Sequence, residues 1–549
     1  MDVHLIRRAL AALAAAVALV LALAAPALGQ DEPGSTGGTA DRAPEEQLEL
    51  SSAEAIEIAE KDPKVIAAER RRGDLQRVAQ AKPPDTWQVG FNDGDDEVVQ
   101  VLVDDPSGTI REAWTGYQVE WQMARGYPGA FGGVLNAPWV WIPLCAVFFV
   151  GLLDFRRLRR VAHLDLLVLL GFGASQYFFH RGEIGVSVPL VYPVLLYLLG
   201  RMVWIGFRGR GAGLRPSIPI LWLGAATVFL LAFRLVVNVA DSGVIDVGYA
   251  GVIGADLITH GDPIYGEGVF PDDNRFGDTY GPANYLAYLP FELGLPWEGE
   301  WDGLPAAHAA ALAFDLATVA GLFMIGVRLR PGARGRELGT ILAFAWAAFP
   351  YTAFTLASNA NDALVAALIA WSLAFLTSPV ARGALLAGAV MVKFAPLALV
   401  PLYAAGDRAF RLAGSLRPRR SAVMFAAAFA AVCAALLVHP AIEPGLATFY
   451  ERTIASQIDR TSPFGIWGQA QLDWLHLAVE LFAPGLALAV AFAPARRTFA
   501  QLAALAAAVL IAVQLTADHW FYLYIVWFFP PLIAALATLD QPSERGQTP

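Results

Sequence analysis

Of 549 residues, 56% belong to the AVILMFWYC set and 16% are charged, with a mean hydropathy of +0.49. The apolar residues come in blocks of about seventeen or more, not in amphipathic stripes, which excludes an ordinary soluble domain and points to a polytopic helical membrane protein. The net charge of −10 is gathered before residue 121 and between 239 and 306, so the composition argues against nucleic acid as a partner.

Residues 1–30 carry Arg7 and Arg8, an Ala/Leu/Val run and then "APALGQ". That is the pattern of a signal peptide or an uncleaved anchor, and either sends the following chain outside. Residues 31–48 read as a disordered linker, because "DEPGSTGGTADRAPEE" has too little apolar character to pack. Residues 49–120 are soluble in character. "SSAEAIEIAEKDPKVIAAERRRG" starts on Ser51 or Ser52 as N-cap and has apolar residues at helical spacing. "TWQVGFNDGDDEVVQVLVDDPSGTIREAWTG" then alternates around two turn-forming clusters, with "DGDD" at 93–96 as a hairpin turn. One helix followed by a small antiparallel sheet is expected, an α+β extracytoplasmic domain. Its Ser-x-x-x-Ala-Ile helix, "W-x-V-x-F" and "V-D-x-x-x-G-x-I" strands resemble the PepSY domain over about residues 50–117. The resemblance implies a binding or inhibitory module with a protein or peptide ligand; a cap stabilising the outer face is the plainer alternative.

Apolar runs at 138–153, 164–180, 187–207, 217–239, 307–327, 339–357, 361–378, 421–438, 475–493, 498–516 and 520–538 each suffice to cross a bilayer. Counting from an outer N-terminal domain, alternate loops fall inside. Those loops hold Arg156–Arg160, Arg208 with Arg210 and Arg215, Arg328–Arg336, Arg382, Arg408–Arg420, and Arg496 with Arg497, as the positive-inside rule requires. The fold class is therefore mainly α, a polytopic bundle of about eleven spans. Residues 137–210 supply additional transmembrane helices, 217–540 the main transmembrane domain and 541–549 a cytoplasmic tail. Residues 383–404 have arginines at both ends and Lys393 and Pro396 in the middle, so they read as a re-entrant helical pair. Lys393 is the only lysine after residue 82, and its cost inside a membrane implies a function or a buried partner. Cys145 and Cys433 lie in apolar runs and read as small buried side chains, with no disulfide frame or thiolate metal site.

With this topology the polar outer segments 239–306, 439–474 and 516–520 converge on one side. Asp246 precedes an interfacial helix running to about His260, where a helix N-terminus keeps its carboxylate ionised and able to accept a proton. The alternative is a simple N-cap. Tyr249 and Asp256 share a face of that helix. Arg452 and Arg460 are outer cations whose forks suit phosphate oxygens, against a solvated surface as the alternative. Arg234 is a third candidate, or else a structural pair with Asp241 or a snorkelling side chain. His439, Gln457, Ser462, Gln469 and Asp518 with His519 complete the polar rim. The aromatics of "HWFYLYIVWFFPPL" suit an interface belt, while Asp315 and Glu480 must face the bundle interior.

"D-x-x-Y" (Asp246, Tyr249), "GDPIY" (261–265), "DTYGPANYLAYLPFE" (278–292), "NAND" (359–362), "GAVMVKFAPLALVPL" (388–402), "QIDRTSPFGIWGQ" (457–469) and "DHWFYLY" occur in this order. Together they resemble glycosyltransferase family 87, of the C-type glycosyltransferase fold, over about residues 217–540. The resemblance implies a polyprenyl-phosphate sugar as donor, an acceptor glycan, lipid or protein outside the cytoplasmic membrane, and an acid of the first outer loop as general base. Carried over, that acid is Asp246, with Asp241 its competitor. Arg452, Arg460 and Arg234 are then the donor-phosphate ligands. Tyr249, Asp256, Tyr265, Tyr280, Asn284, His439, Gln457, Trp467, Gln469 and His519 bind or orient substrate, and Lys393 lines a lipid cleft. No cofactor or metal is required, the lipid-linked sugar being a co-substrate. "TYGPANY" departs from the family's "YPP"-type sequence, and the added front spans and PepSY-like domain are further departures.

A transporter or lipid flippase regulated by the outer cap is the rival, kept open by Lys393, Asp315 and Glu480 although no internal repeat is visible. An inactive sensor is the third reading. Arginine outnumbers lysine 35 to 4 and alanine abounds, the bias of a GC-rich bacterial genome, which places the chain in a bacterial cytoplasmic membrane.

Overall fold

The computed structural model describes residues 48–539 apart from 83, 95, 127–131, 212, 272–273, 300–303, 411–418, 459–461 and 471. The signal or anchor, nearly all of the linker, the tail and Arg460 therefore lie outside the described residues. The chain divides into two units, residues 1–127 with 181–183, and 128–180 with 184–549.

The first unit is a helical pair on a four-stranded meander. Helix α1 (Ser52–Ala59) starts at Ser51, whose hydroxyl accepts from Glu54 N while Glu54 returns a bond to Ser51 N, a full capping box. Asp62 and Pro63 then stop the expected single helix and begin α2 (Pro63–Arg72), because proline fits a first turn and not a helix interior. Strands β1 (Gln76–Lys82), β2 (Thr86–Asp93), β3 (Asp96–Asp104) and β4 (Thr109–Thr115) pair antiparallel in that order. Asp93 pairs with Asp96 across the expected turn. Trp87, Val89 and Phe91 of β2 and Val99, Val101 and Val103 of β3 bury one sheet face against Ala55, Ala59 and Val65.

The second unit is mainly helical. Its principal helices are α3 (Pro138–Leu152), α4 (Val161–Leu170), α5 (Phe172–Phe179), α6 (Ile184–Arg208), α7 (Ile220–Ala240), α8 (Asp246–His260), α9 (Pro282–Glu292) and α10 (Pro305–Leu329). There follow α11 (Gly332–Ala348), α12 (Pro350–Ala357), α13 (Asp362–Ala374), α14 (Pro379–Val392), α15 (Val400–Ala405), α16 (Arg420–Leu436), α17 (Asp473–Phe492), α18 (Phe499–Leu515) and α19 (Ile525–Thr538). Among the described residues five apolar stretches are long enough to cross a membrane: 161–179, α6, α7, α10 and α17. The bent pair α11 and α12, turned by 59° where Pro350 interrupts the backbone ladder, makes a sixth.

Helices α18 and α19 form the centre. Every residue from Ala500 to Ala512 and from Ile525 to Leu536 is buried. Alanine lets neighbouring backbones approach α18 closely. The α19 aromatics, expected as an interface belt, instead pack inward: Phe529 stacks on Phe349 at 4.3 Å. The periphery carries the opposite character, with Trp139, Leu221, Trp222, Phe229, Trp474 and Leu481 strongly exposed, as a lipid-facing surface should be. Cys145 and Cys433 are free and only partly buried.

Residues 379–405 double back. Helix α14 leads to Lys393 and Phe394, a 3₁₀ turn (Ala395–Leu399) follows, and α15 returns. A Cβ on Gly406 would lie 3.3 Å from Arg382 Nη1, so the two feet of this hairpin stand together. Arg497, which donates to Gly406 O at 2.8 Å, belongs to the same end.

Candidate functional site

The hairpin tip meets the loop that precedes α9. Gly281 N donates to Val392 O at 3.3 Å, and a Cβ on Gly281 would fall 2.1 Å from Met391 O, so only glycine permits this approach. At the tip Lys393 Nζ bonds Asp362 Oδ1 at 2.7 Å. Trp527 Nε1 donates to the same oxygen at 2.8 Å. The ammonium lies 5.6 Å from the ring centroids of Tyr280 and Tyr524 and 5.3 Å from that of Trp527, within cation–π range. Asn361, beside Asp362 at the start of α13, donates to Asn284 Oδ1 of α9 at 2.7 Å. "TYGPANY", "NAND", "MVKFAP" and "YLYIVW" are thus brought to one place.

Asp246 is anchored to the same turn. Gly243 N and Ile245 N donate to Ala357 O and Ser358 O, and Asn359 Nδ2 donates to Gly243 O at 2.9 Å. Asn359 itself has a positive φ of 49°. Asp246 becomes the first residue of α8, with its side chain exposed and Oδ1 accepting from Val247 N at 2.9 Å. The helix N-terminus favours the charged carboxylate there. Tyr280, whose ring lies beside Lys393, also feels the charge of Asp246. Burial, then the charge of Asp246, followed by Tyr524 and Asp362, holds its phenol well above the ordinary range, so it remains a hydrogen-bond donor.

Other expected site residues are committed elsewhere. Arg234 is enclosed in the bundle, pairing with Asp315 at 2.6 Å and donating to Trp346 O, Thr352 Oγ1 and Thr352 O. It pairs neither with Asp241 nor at the rim, and a phosphate could reach it only by breaking that buried pair. Asp241 caps α7 and accepts from Val134 N at 2.5 Å. Arg452 grips Asp278 through two bonds of 2.5 and 2.9 Å and donates to Arg275 O at 3.0 Å, tying the 439–474 segment to the loop between α8 and α9. Asp278 raises the affinity of that guanidinium for its proton.

Tyr265 donates to Tyr280 O at 3.0 Å and packs edge-on against Phe449. Tyr249 is buried against Trp297, and Asp256 faces His260 one turn away. Trp467 donates to Leu515 O and stacks on His476 at 4.6 Å, while Gln469 holds Pro463 O. His519 bonds Ser462 Oγ at 2.9 Å. Gln457 is exposed. His439 lies on an apolar cavity of ≈ 360 Å³ with Ile258, Pro282, Leu286, Leu436 and Ile442. Pro282 places this cavity two residues along the chain from Tyr280.

Asp362, Tyr524 and Trp527 were not singled out by sequence reasoning. A search for an acid able to neutralise Lys393 inside the apolar runs would have reached Asp362, since such lysines need a counter-charge. No family model matches the chain, and no curated protein matches it.

Proposed function

We propose that the protein is a membrane glycosyltransferase that moves a sugar from a polyprenyl-phosphate donor to an extracytoplasmic glycan, lipid or protein acceptor, with inversion. The observation that carries this reading is the anchoring of an exposed carboxylate, Asp246, and a caged cation, Lys393 on Asp362, to the two ends of one turn, residues 357–362, with the Tyr280 ring beside Lys393. Asp246 takes the proton of the acceptor hydroxyl as that oxygen bonds C1 of the sugar and the C1–phosphate bond breaks. The departing phosphate gains negative charge, and Lys393 replaces Arg234 as the fixed cation that stabilises it. The apolar cavity beside Pro282 receives the first isoprene units. Transfer takes place on the extracytoplasmic side of a bacterial cytoplasmic membrane, where the first unit, PepSY-like by sequence, binds a protein or peptide ligand.

Purified protein with a panel of radiolabelled polyprenyl-phosphate sugars tests the reading. Transfer by the wild type and its loss in Asp246→Asn is the expected result; no transfer from any donor, or equal transfer by both, overturns it. The buried pairs Lys393–Asp362 and Arg234–Asp315 favour a second reading, a transporter that loads ions or lipid between its helices. Flux across reconstituted vesicles that survives Asp246→Asn and vanishes in Lys393→Met would select it.

A further inference from the structure

At the foot of the 379–405 hairpin a short antiparallel ladder joins residues 407–410 to 495–497. Ala409 N donates to Ala495 O at 3.1 Å and Arg497 N to Asp407 O at 2.8 Å, so these bonds flank the opposed pair Arg408 and Arg496. A pair flanked in this way has its Cα atoms only about 4.5 Å apart and both side chains on one side of the ladder. Ala409 and Arg497 are buried, whereas Arg408 and Arg496 are exposed, as alternation along the two segments requires. Like charges directly opposite each other repel. The Asp407 carboxylate lies 4.0 Å from Arg408 Nε with its side chain 64% exposed, so it offsets little, and among the described residues no acid pairs with Arg496. Arg419 adds a third guanidinium, donating to Arg408 O and Ala409 O at 2.7 Å each.

Two exposed forks on one side of a ladder suit a phosphate, whose oxygens accept from both. What carries the phosphate follows from the neighbouring helix. Phe410 N donates to Ala491 O at 2.9 Å, which seats the ladder on the end of α17, and the Phe410 and Phe492 rings lie 6.2 Å apart. Back along α17 from Phe492, the residues Leu488, Gly485, Leu481, Leu477 and Trp474 recur every three or four positions, the spacing of one helix face, and all six are exposed. A Cβ on Gly485 would meet nothing within 4 Å, so the stripe is notched at mid-length. The 20 residues of α17 rise about 30 Å, the thickness of a hydrocarbon core. With this stripe against acyl chains, the arginine pair stands at headgroup height.

We propose that Arg408 and Arg496 clamp the phosphate of an anionic glycerophospholipid whose acyl chains lie along the exposed face of α17. The positive-inside count turns this end toward the cytoplasm, so the lipid belongs to the inner leaflet. A zwitterionic headgroup would bring an ammonium to two guanidiniums, and a free phosphate would leave the stripe unused. A topological signal alone needs arginines somewhere in the loop, not two in register. The bound lipid braces the foot of the hairpin, because Gly406 O and Asp407 O both accept from Arg497, the residue after Arg496. The site is independent of glycosyl transfer.

Binding of dioleoyl phosphatidylglycerol, dioleoyl phosphatidylcholine and inorganic phosphate to the full chain in a neutral detergent tests the clamp. Three proteins are compared: wild type, the double variant Arg408→Gln with Arg496→Gln, and a control, Arg334→Gln with Arg336→Gln, which loses the same charge from exposed positions on α11. Phosphatidylglycerol should bind wild type and control alike and the double variant about thirty-fold more weakly, the usual effect of two arginines at a lipid surface. Phosphatidylcholine should bind all three weakly and equally. Arg496→Gln alone removes an exposed side chain without an acidic partner and should weaken phosphatidylglycerol about five-fold, which keeps the test decisive if the double variant does not fold. Equal phosphatidylglycerol affinity in wild type and in both clamp variants overturns the proposal, as does an equal loss in the control. Phosphatidylcholine binding as tightly as phosphatidylglycerol, or inorganic phosphate displacing the lipid at equal concentration, overturns the assignment to an anionic lipid.

Discussion

Lys393 Nζ stands 2.7 Å from Asp362 Oδ1, and the aspartate is wholly enclosed while the lysine side chain keeps 11% of its exposure. Removing one member of such a pair strands the other's charge, at a cost of about 3–5 kcal/mol. Lys393→Met and Asp362→Asn should each lower the midpoint of thermal unfolding in detergent. The double variant should recover much of that loss while remaining inactive in transfer. Recovery of activity along with stability would show that the pair serves the fold alone.

Asp246 is exposed, and its carboxylate accepts from Val247 N of its own helix, a bond that the isosteric amide oxygen of asparagine can also accept. Asp246→Asn should therefore leave the unfolding midpoint nearly unchanged and reduce transfer about 10²- to 10⁴-fold, the usual worth of a general base. Single-turnover rates measured on folded, monodisperse protein check this.

Arg452 and Asp278 join segments 174 residues apart through a two-pronged contact. Lysine is a poor replacement, since it offers one point charge in place of a planar fork. Arg452→Lys and Asp278→Asn should each speed hydrogen exchange in residues 274–281 and 446–455. If Arg452 is instead a donor-phosphate ligand, Asp278→Asn should spare or tighten donor binding while Arg452→Lys weakens it.

In the first unit Arg111 bonds Asp104 at 2.6 Å and Asp85 at 2.8 Å. The Ser107 hydroxyl and then Arg111 hold the Asp104 carboxyl below its ordinary range, and Arg111 does the same for Asp85. A carboxyl depressed on folding stabilises the fold above its unfolded pKa, and that contribution disappears as the pH falls through the folded value. The unit should thus resist acid to about pH 4 and loosen below it. Arg111→Gln should flatten this dependence, as hydrogen exchange across β3 and β4 would report.

Gly281 leaves no room for a side chain, because Met391 O occupies the space. Gly281→Ala should push the loop from the hairpin tip and lower stability by about 1–3 kcal/mol, as overpacking does. It should also disturb the Lys393 cage, seen as altered tryptophan emission that is absent when Trp527 is replaced by Phe.

Local signals were legible in the sequence because their causes are local. Ser51 with Glu54 announces its helix, "DGDD" announces its turn, and the apolar runs mark the helices. Strand β1 was missed because "QRVAQAK" is an edge strand with half its side chains in solvent, so it lacks the apolar alternation of β2 and β3. The pairings of the site were hidden for another reason. Arg234 meets Asp315 from 81 residues away and Lys393 meets Asp362 from 31, and nothing in a run of apolar residues states which helices become neighbours. Sequence could say that each charge needs a counterpart. It could not say which.

The hairpin formed by residues 379–405 brings the polypeptide back to the end of the bundle from which it departed. It therefore contributes nothing to the parity of traverses, and α16, α17 and α18 inherit their up or down sense from the helices before it. Deleting it whole would preserve the direction in which the chain enters α16, whereas deleting either leg alone would reverse it.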